Sequence, residues 1–130
     1  MDKPNSQSNQ ERWAIDFHKT VDGRSPVEEF IRSLPDKARA KVNRTIELLA
    51  TLGFALPMPH NRKVQGVEKL WELRVQSPPQ IHRIFYFATV GRRFILLHGF
   101  TKKTEKTPPR EIQVAVTRMK DFSARKRKQR

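Results

Sequence analysis

The chain has 130 residues, a length that suits one domain of ordinary size. It contains no cysteine, which excludes a disulfide framework and a thiolate metal site. No run approaches the roughly 18 apolar residues of a membrane span, and the polar first ten residues give no sign of a secretory signal. We therefore expect a soluble cytoplasmic protein without a metal, a cofactor or a membrane partner.

The positive charge is concentrated in the second half of the chain. The formal net charge is +14. Residues 1–60 hold 9 Lys and Arg against 8 Asp and Glu, whereas residues 61–130 hold 18 against 5. This asymmetry indicates an acidic partner such as nucleic acid, an anionic protein segment or a membrane surface. The alternative is a solvated basic surface that serves solubility alone.

The N-terminal part predicts a short strand followed by a helical hairpin. Residues 1–11 are too polar to order themselves, and residues 13–17 alternate enough to form an edge strand. A helix should begin after Ser25, which can cap it, and end near residue 34. Pro26 suits its first position, and Glu28 completes a capping box with Ser25. A second helix begins at residues 35–36 and ends at Gly53. Its apolar face consists of Ala38, Val42, Ile46, Leu49 and Leu52.

Three strands follow, at residues 69–76, 80–89 and 92–100. They are rich in β-branched and aromatic residues, while proline and glycine fall at the joints, which is typical of an antiparallel meander. Residues 94–97 are apolar on both parities, so the third strand should be central and covered on both faces.

A final helix should begin near residues 107–111, ahead of a basic tail at residues 123–130. The whole chain thus predicts an α+β fold. It has a small antiparallel sheet of about four strands, an N-terminal helical hairpin and a C-terminal helix, in one domain at residues 12–122.

Basic residues stand inside the predicted sheet. Because side chains alternate along a strand, Trp71, Leu73 and Val75 should face the core, and Glu72 and Arg74 should lie on an open or half-open face. An antiparallel register would set Arg83 near Arg74. Lys102 and Lys103 follow the third strand, and together these cations would suit a phosphodiester. A salt bridge between Arg74 and Glu72 is the structural alternative.

Four short motifs follow one another in this sequence: Lys69-x-Trp71-Glu72-Leu73-Arg74, Arg83-x-Phe85-Tyr86, His98-Gly99-Phe100-x-Lys102-Lys103 and residues 108–111. Together they resemble the RelE/ParE toxin superfamily. The resemblance covers residues 12–122 and is strongest to the HigB-like or phage Gp49-like branch. It implies the toxin of a type II toxin–antitoxin pair, whose ribonuclease members cut messenger RNA on the ribosome. The implied partner is an antitoxin, often with a helix-turn-helix DNA-binding domain.

The resemblance also implies the site residues. The basic sheet positions of the family match Arg74 and Arg83, and its cationic patch matches Lys102 and Lys103. We therefore expect four catalytic residues and a wider RNA-binding set. The catalytic set is Arg74, Arg83, Lys102 and Lys103; the RNA-binding set is Arg62, Lys63, Lys69, His98 and Lys106. Some members place a functional Tyr in the last helix, but residues 111–122 contain none.

The implied reaction is metal-free, with attack of the ribose 2′-OH on the adjacent phosphorus. It needs a base, an acid and cations for the developing charge. Lys102 or Lys103, crowded by other cations, could serve as the base. His82 and His98 titrate closer to neutrality, although the parity of His98 groups it with Phe94 and Leu96.

Two other functions fit the same sequence. A ParE-like toxin would share the fold but inhibit gyrase by binding it. A non-catalytic nucleic-acid-binding module would use the basic tail, but it would leave the arginines inside the strands unexplained.

Overall fold

The computed structural model describes residues 12–128, so the predicted N-terminal segment 1–11 and the last two residues lie outside it. Its strands are β1 (Ala14–Phe17), β2 (Asn61–Lys63), β3 (Trp71–Ser77), β4 (Gln80–Thr89) and β5 (Arg93–Lys102). They form one sheet in the order β1-β5-β4-β3-β2. β1 pairs with β5 in parallel, and the other three pairings are antiparallel.

Three α-helices cover this sheet: α1 (Pro26–Arg32), α2 (Asp36–Leu52) and α3 (Pro109–Lys128). A short 3-10 turn, Gly53–Ala55, follows α2. The predicted α+β class, the helical hairpin and the C-terminal helix are confirmed. α3 continues through residues 123–128, which had been assigned to a basic tail. No helix within the described residues is both long enough and apolar enough to cross a membrane.

The sheet has five strands instead of about four, because β2 was missed. β2 has only three residues, and it pairs with the first half of β3. A polar segment of that length carries no detectable alternation, so its strand character comes from its neighbour. The predicted edge strand near residues 13–17 is confirmed as β1, at the opposite edge of the sheet.

Each face of the sheet has its own hydrophobic core. On one face α1 and α2 pack against side chains that include Leu73, Ile84 and Phe94. On the other face α3 packs against Phe85 and Ile95, among others. Residues 94–97 of β5 are all buried, which confirms that the third meander strand is covered on both sides.

A bulge in β5 reverses the alternation of its side chains. Phe85 pairs with His98 and Tyr86 pairs with Leu96, so Leu97 is the extra residue. After the bulge, His98 lies on the face of α3. The parity argument that grouped His98 with Phe94 and Leu96 is therefore wrong, since a strict period of two does not survive an inserted residue.

The predicted helix ends are right in one case and wrong in another. The N–H of Gly53 donates to the carbonyl of Leu49, as expected of a C-cap. Ser25 precedes α1, but its side chain makes no capping hydrogen bond and its Oγ is buried without a partner among the described residues. The predicted capping box is therefore absent at Ser25.

Gly99 allows α1 to approach β5 closely. A Cβ atom at Gly99 would lie 2.9 Å from Cε2 and Cγ of Phe30, and closer still to Cδ2.

We expect Gly99→Ala to lower the free energy of unfolding by about 1–3 kcal/mol, the usual cost of overpacking. Urea titration would measure it. In a Phe30→Leu background the same substitution should cost less, because the clashing ring is gone; an unchanged cost would contradict the steric explanation.

Candidate nucleic-acid interface

A buried carboxylate binds two arginines at the centre of the α3 face. Glu72, Arg74 and Arg83 have 1%, 2% and 0% of their surfaces exposed. Arg74 Nε donates to Glu72 Oε2 at 3.0 Å. Arg83 Nε lies 3.0 Å from the same oxygen in an ion pair whose N–H is poorly directed. One carboxylate thus neutralises part of the charge of two buried guanidinium groups.

The register of β3 and β4 explains why these charges meet. Arg74 pairs directly with Arg83, as predicted, and Glu72 pairs with Phe85. Residues that oppose each other across an antiparallel pair point to the same face, so both guanidinium groups lie beneath the same covering segment. The expectation that Glu72 and Arg74 occupy an open or half-open face is wrong.

The covering segment runs from the last residue of β5 to the residue before α3, residues 102–108, which we call the basic loop. Arg83 Nη2 donates to the carbonyls of Thr104 at 2.6 Å and Glu105 at 2.7 Å, and Nη1 donates to that of Lys106 at 3.3 Å. Arg74 Nη2 donates to the Glu105 carbonyl at 2.7 Å as well. Successive main-chain carbonyls of the loop are therefore bound by two guanidinium groups.

Side chains of the loop complete the attachment. Thr107 Oγ1 donates to Glu72 Oε1 at 2.9 Å and accepts from Arg74 Nη2 at 3.1 Å. Glu105 Oε1 accepts from Arg74 Nη1 at 3.1 Å. We call these five residues, Glu72, Arg74, Arg83, Glu105 and Thr107, the arginine network. Charge-assisted hydrogen bonds of this kind are stronger than neutral ones, so the network fixes the path of the loop.

The lysines of the loop point outward. Lys102, Lys103 and Lys106 are exposed, whereas Arg74 and Arg83 have no surface to offer a phosphate. The structure therefore divides the predicted catalytic set into two kinds of residue. Two lysines can contact a ligand directly, and two arginines contact the loop that carries them.

Burial lowers the pKa of Arg83, and the neighbouring charge of Arg74 lowers it further. Glu72 and Glu105 act in the opposite direction. Because arginine starts from a very high pKa, it keeps its proton at neutral pH. Arg83 therefore stays charged inside the network, whose free energy depends on every partner being present.

His98 is bound from both sides by α3. Its Nε2 lies 2.6 Å from Oε1 of Glu111, and its Nδ1 lies 3.3 Å from Nη1 of Arg118. Since an arginine can only donate, Nδ1 accepts and the proton resides on Nε2. Burial, and to a smaller extent the charge of Arg118, lower the pKa of His98, while Glu111 raises it, and the net shift is downward. The neutral ring also stacks beside Phe100, with centroids 5.7 Å apart.

The other titratable candidates lie in the core. His82 is buried on the face of α1 and α2, where its Nδ1 is 2.9 Å from Thr101 Oγ1. Tyr86, the one tyrosine in the sequence, donates to the side chain of Asn61, and burial raises its pKa. Neither group is placed to exchange a proton with a ligand on the basic loop.

The stability of the fold should depend on the neutral state of its buried histidines. Burial is the largest cause that lowers the pKa of His18, His82 and His98 from 6.5. The unfolded chain therefore binds more protons, and the stabilisation is complete above about pH 6.5 and declines below it. We expect the free energy of unfolding to fall between pH 7 and pH 5 in urea titrations. His82→Gln should reduce that slope, and a slope unchanged by it would contradict the assignment to His82.

The remaining predicted RNA-binding residues do not form one surface. Arg62 is half-buried and pairs with Glu72 in the register, so it lies beside the arginine network. Lys63 is exposed, and its Nζ lies 3.4 Å from the carbonyl of Val67. Lys69 borders a cavity with Phe87 and Met119. Lys102 pairs with Ile81 at the other end of β4, which separates Lys69 from the basic loop.

Sequence reasoning missed several residues that shape this region. Glu105 lies in a stretch dominated by lysines, Thr107 stands at the predicted start of the last helix, and Glu111 and Arg118 lie within that helix. Glu72 was considered only as an alternative partner of Arg74. Its position two residues before Arg74, on the same strand face, was the available signal. The contacts of Glu105 and Thr107 span more than thirty residues, and no local pattern announces them.

The fold and this interface together define a small α+β protein that presents a fixed basic loop on top of a buried arginine network. The family model of the phage derived protein Gp49-like family (DUF891) matches residues 29–120. The chain therefore belongs to the Gp49-like family, a phage-derived and toxin-like family. No curated protein matches the chain.

Proposed function

We propose that the chain is the toxin of a type II toxin–antitoxin pair, of the HigB-like kind, and that it cleaves messenger RNA on the ribosome. The observation that carries this proposal is the basic loop, which carries exposed lysines and whose main-chain carbonyls are bound by two buried arginines. Membership of a toxin-like family supports it. The basic second half of the chain would favour the polyanionic ribosome, with an affinity that falls as salt rises.

The proposed reaction is attack of a ribose 2′-OH on the adjacent phosphorus without a metal ion. The bond to the 5′-oxygen breaks, which leaves a 2′,3′-cyclic phosphate and a 5′-hydroxyl. Lys102 and Lys103 would contact the phosphate and stabilise the charge that develops on it, because preorganised cations stabilise a transition state efficiently. Lys106 would bind the neighbouring backbone.

Arg74 and Arg83 would contribute as positioning residues. Their guanidinium groups bind the carbonyls of the basic loop, so they would set the distance between the lysines and the phosphate. Arg62 and Lys63 lie at the edge beside the network and are not part of the proposed RNA contact. The general acid and base stay open between the loop lysines and groups supplied by the ribosome.

The partner that controls this activity would be a small antitoxin, with a helix-turn-helix DNA-binding domain. It would need to cover the exposed lysines of the basic loop, and an acidic segment would do so. Such a complex would also neutralise part of the net charge of +14.

The test is to induce the chain in bacteria and to map messenger RNA 5′ ends, then to repeat the cleavage with purified chain in the presence and absence of ribosomes. Cuts within translated frames that require ribosomes would support the proposal. Growth arrest with intact messages would contradict it in favour of gyrase inhibition. The absence of both arrest and cuts would leave a basic binding module.

A further inference from the structure

A groove of about 450 Å³ runs between the end of α2 and the edge strand β2. Its lining combines large apolar side chains with polar and basic ones. Phe54 and Met58, which line it, have 42% and 66% of their surfaces exposed. Exposed apolar groups of this size next to each other are typical of interaction sites. The lining residues are Phe54, Leu56, Met58, Asn61, Arg62, Lys63, Gln65 and Trp71.

The exposed apolar residues cluster in this part of the chain. Six large hydrophobic side chains among the described residues are exposed, and four of them lie within residues 48–58. Leu48 and Leu52 belong to α2, and both side chains are exposed. The prediction that Leu52 lies on the buried apolar face of this helix is therefore wrong. Phe54 and Met58 line the groove itself, and Leu48 and Leu52 precede them on the last turns of α2.

The main chain of β2 offers hydrogen bonds at this edge. His60 accepts from the N–H of Arg74, and Val64 donates to the carbonyl of Leu70. In an antiparallel pair, alternate residues turn toward the partner strand. Residues 60, 62 and 64 therefore face β3, and the main-chain groups of Asn61 and Lys63 face away from it. Such an edge is a template for one more strand.

The charge at the groove selects the kind of segment that fits. The Nε of Arg62 is buried and has no hydrogen-bond partner among the described residues, and Lys63 is exposed beside it. A carboxylate would be the natural partner of this half-buried guanidinium group. A second copy of the chain would bring another +14 charge to the same surface, which opposes self-association.

We propose that this groove binds an extended acidic segment of another protein, which pairs with the free edge of β2, inserts a large apolar side chain between Phe54 and Met58 and places a carboxylate on Arg62. A peptide fits better than RNA, because the edge of β2 matches a peptide main chain and the aliphatic Leu56 and Met58 offer nothing to a base edge. Since Arg62 opposes Glu72, the segment would lie beside the arginine network. If the proposed function is right, this segment belongs to the antitoxin. The binding of an acidic segment to the groove does not itself depend on the proposed function.

The test uses a displayed library of random short peptides, selected on the full-length chain. Enriched peptides should contain acidic and large apolar residues. Their affinity, measured by fluorescence anisotropy, should fall about tenfold or more for Met58→Asp, a loss typical of an anchor residue. Val90→Asp is the matched control, since Val90 is also an exposed apolar residue and lies on the β4–β5 turn. That variant should bind the peptides like the parent chain.

A second readout locates the segment and distinguishes other occupants. Amide exchange of Asn61 and Lys63 should slow when a selected peptide is bound. The proposal is overturned if no peptide is enriched, if binding is indifferent to Met58→Asp, if an oligoribonucleotide protects these amides while no peptide does, or if sedimentation shows a dimer that Met58→Asp dissociates. None of these measurements depends on RNA cleavage, so they can fail while the proposed function stands, and the reverse is also true.

Discussion

Glu72→Ala is expected to destabilise the protein by about 3–5 kcal/mol, the cost of removing one partner from a buried ion pair. The substitution leaves Arg74 and Arg83, which are 2% and 0% exposed, without their shared carboxylate. Two buried like charges then face each other across β3 and β4. Urea or thermal unfolding of the purified variant would measure the loss.

Two companion variants make that result specific. Glu68→Ala removes an exposed glutamate near the start of β3 and should change the free energy of unfolding by less than about 0.5 kcal/mol. Glu72→Gln keeps the shape and one acceptor oxygen and should cost less than Glu72→Ala. A Glu72→Ala loss below about 1 kcal/mol would mean that the arginine network does not stabilise the fold.

The same variant should release the basic loop. Because the loop is attached by Arg74 and Arg83 through its carbonyls, we expect faster amide exchange and faster proteolysis at residues 102–108 than in the parent chain. Local release with little global destabilisation would still show that the network positions the loop.

The second large effect concerns the reaction. Replacing both Lys102 and Lys103 by alanine should reduce ribosome-dependent cleavage by about 10²–10³-fold or more, the usual cost of removing a preorganised charge that stabilises a transition state. Both side chains are exposed, so the free energy of unfolding should hardly change. The cleavage rate on ribosome-bound messenger RNA and a urea titration of the same preparation would test both statements.

The matched control is Lys37→Ala together with Lys120→Ala, which removes the same charge from exposed positions on α2 and α3. This pair should lose only the activity that follows from weaker general attraction to RNA. If the two double variants lose equal activity at every salt concentration, the basic loop has no special role, and the lysines act as bulk charge.

Variants of Arg74 and Arg83 should lose both stability and activity, whereas variants of the lysines should lose activity alone. From the sequence, a charge reversal at Arg83 looks like a clean probe of function. In the structure Arg83 is completely buried, so its loss should lower stability and activity together. Direct and positioning roles are therefore separable only by measuring both quantities on each variant.

The pairing of Arg74 with Arg83 was predictable, because alternation and a short connection between two strands determine an antiparallel register. The order of the helices and the double coverage of β5 followed from apolar periodicity. These features depend on residues that are close in sequence or repeated along one element. They can be recognised without any knowledge of distant contacts.

The features that escaped prediction arise from distant contacts or from single inserted residues. The extra residue at Leu97 moved His98 to the face of α3, where Glu111 and Arg118 bind it. The return of the basic loop over β3 depends on Thr107 reaching Glu72, thirty-five residues earlier. No periodicity encodes such contacts, so the burial of the arginines could not be derived.

The pairing of β1 with β5 has a consequence for synthesis of the chain. Asp16 and Arg93, which form an ion pair across these strands, are 77 residues apart. At about 5–20 residues per second, β1 waits several seconds on the ribosome for its partner. Thr107, which anchors the basic loop, is made later still. Under the proposed function, the nascent chain could not assemble its active surface before Thr107 has been made, which would delay any attack on the ribosome that makes it.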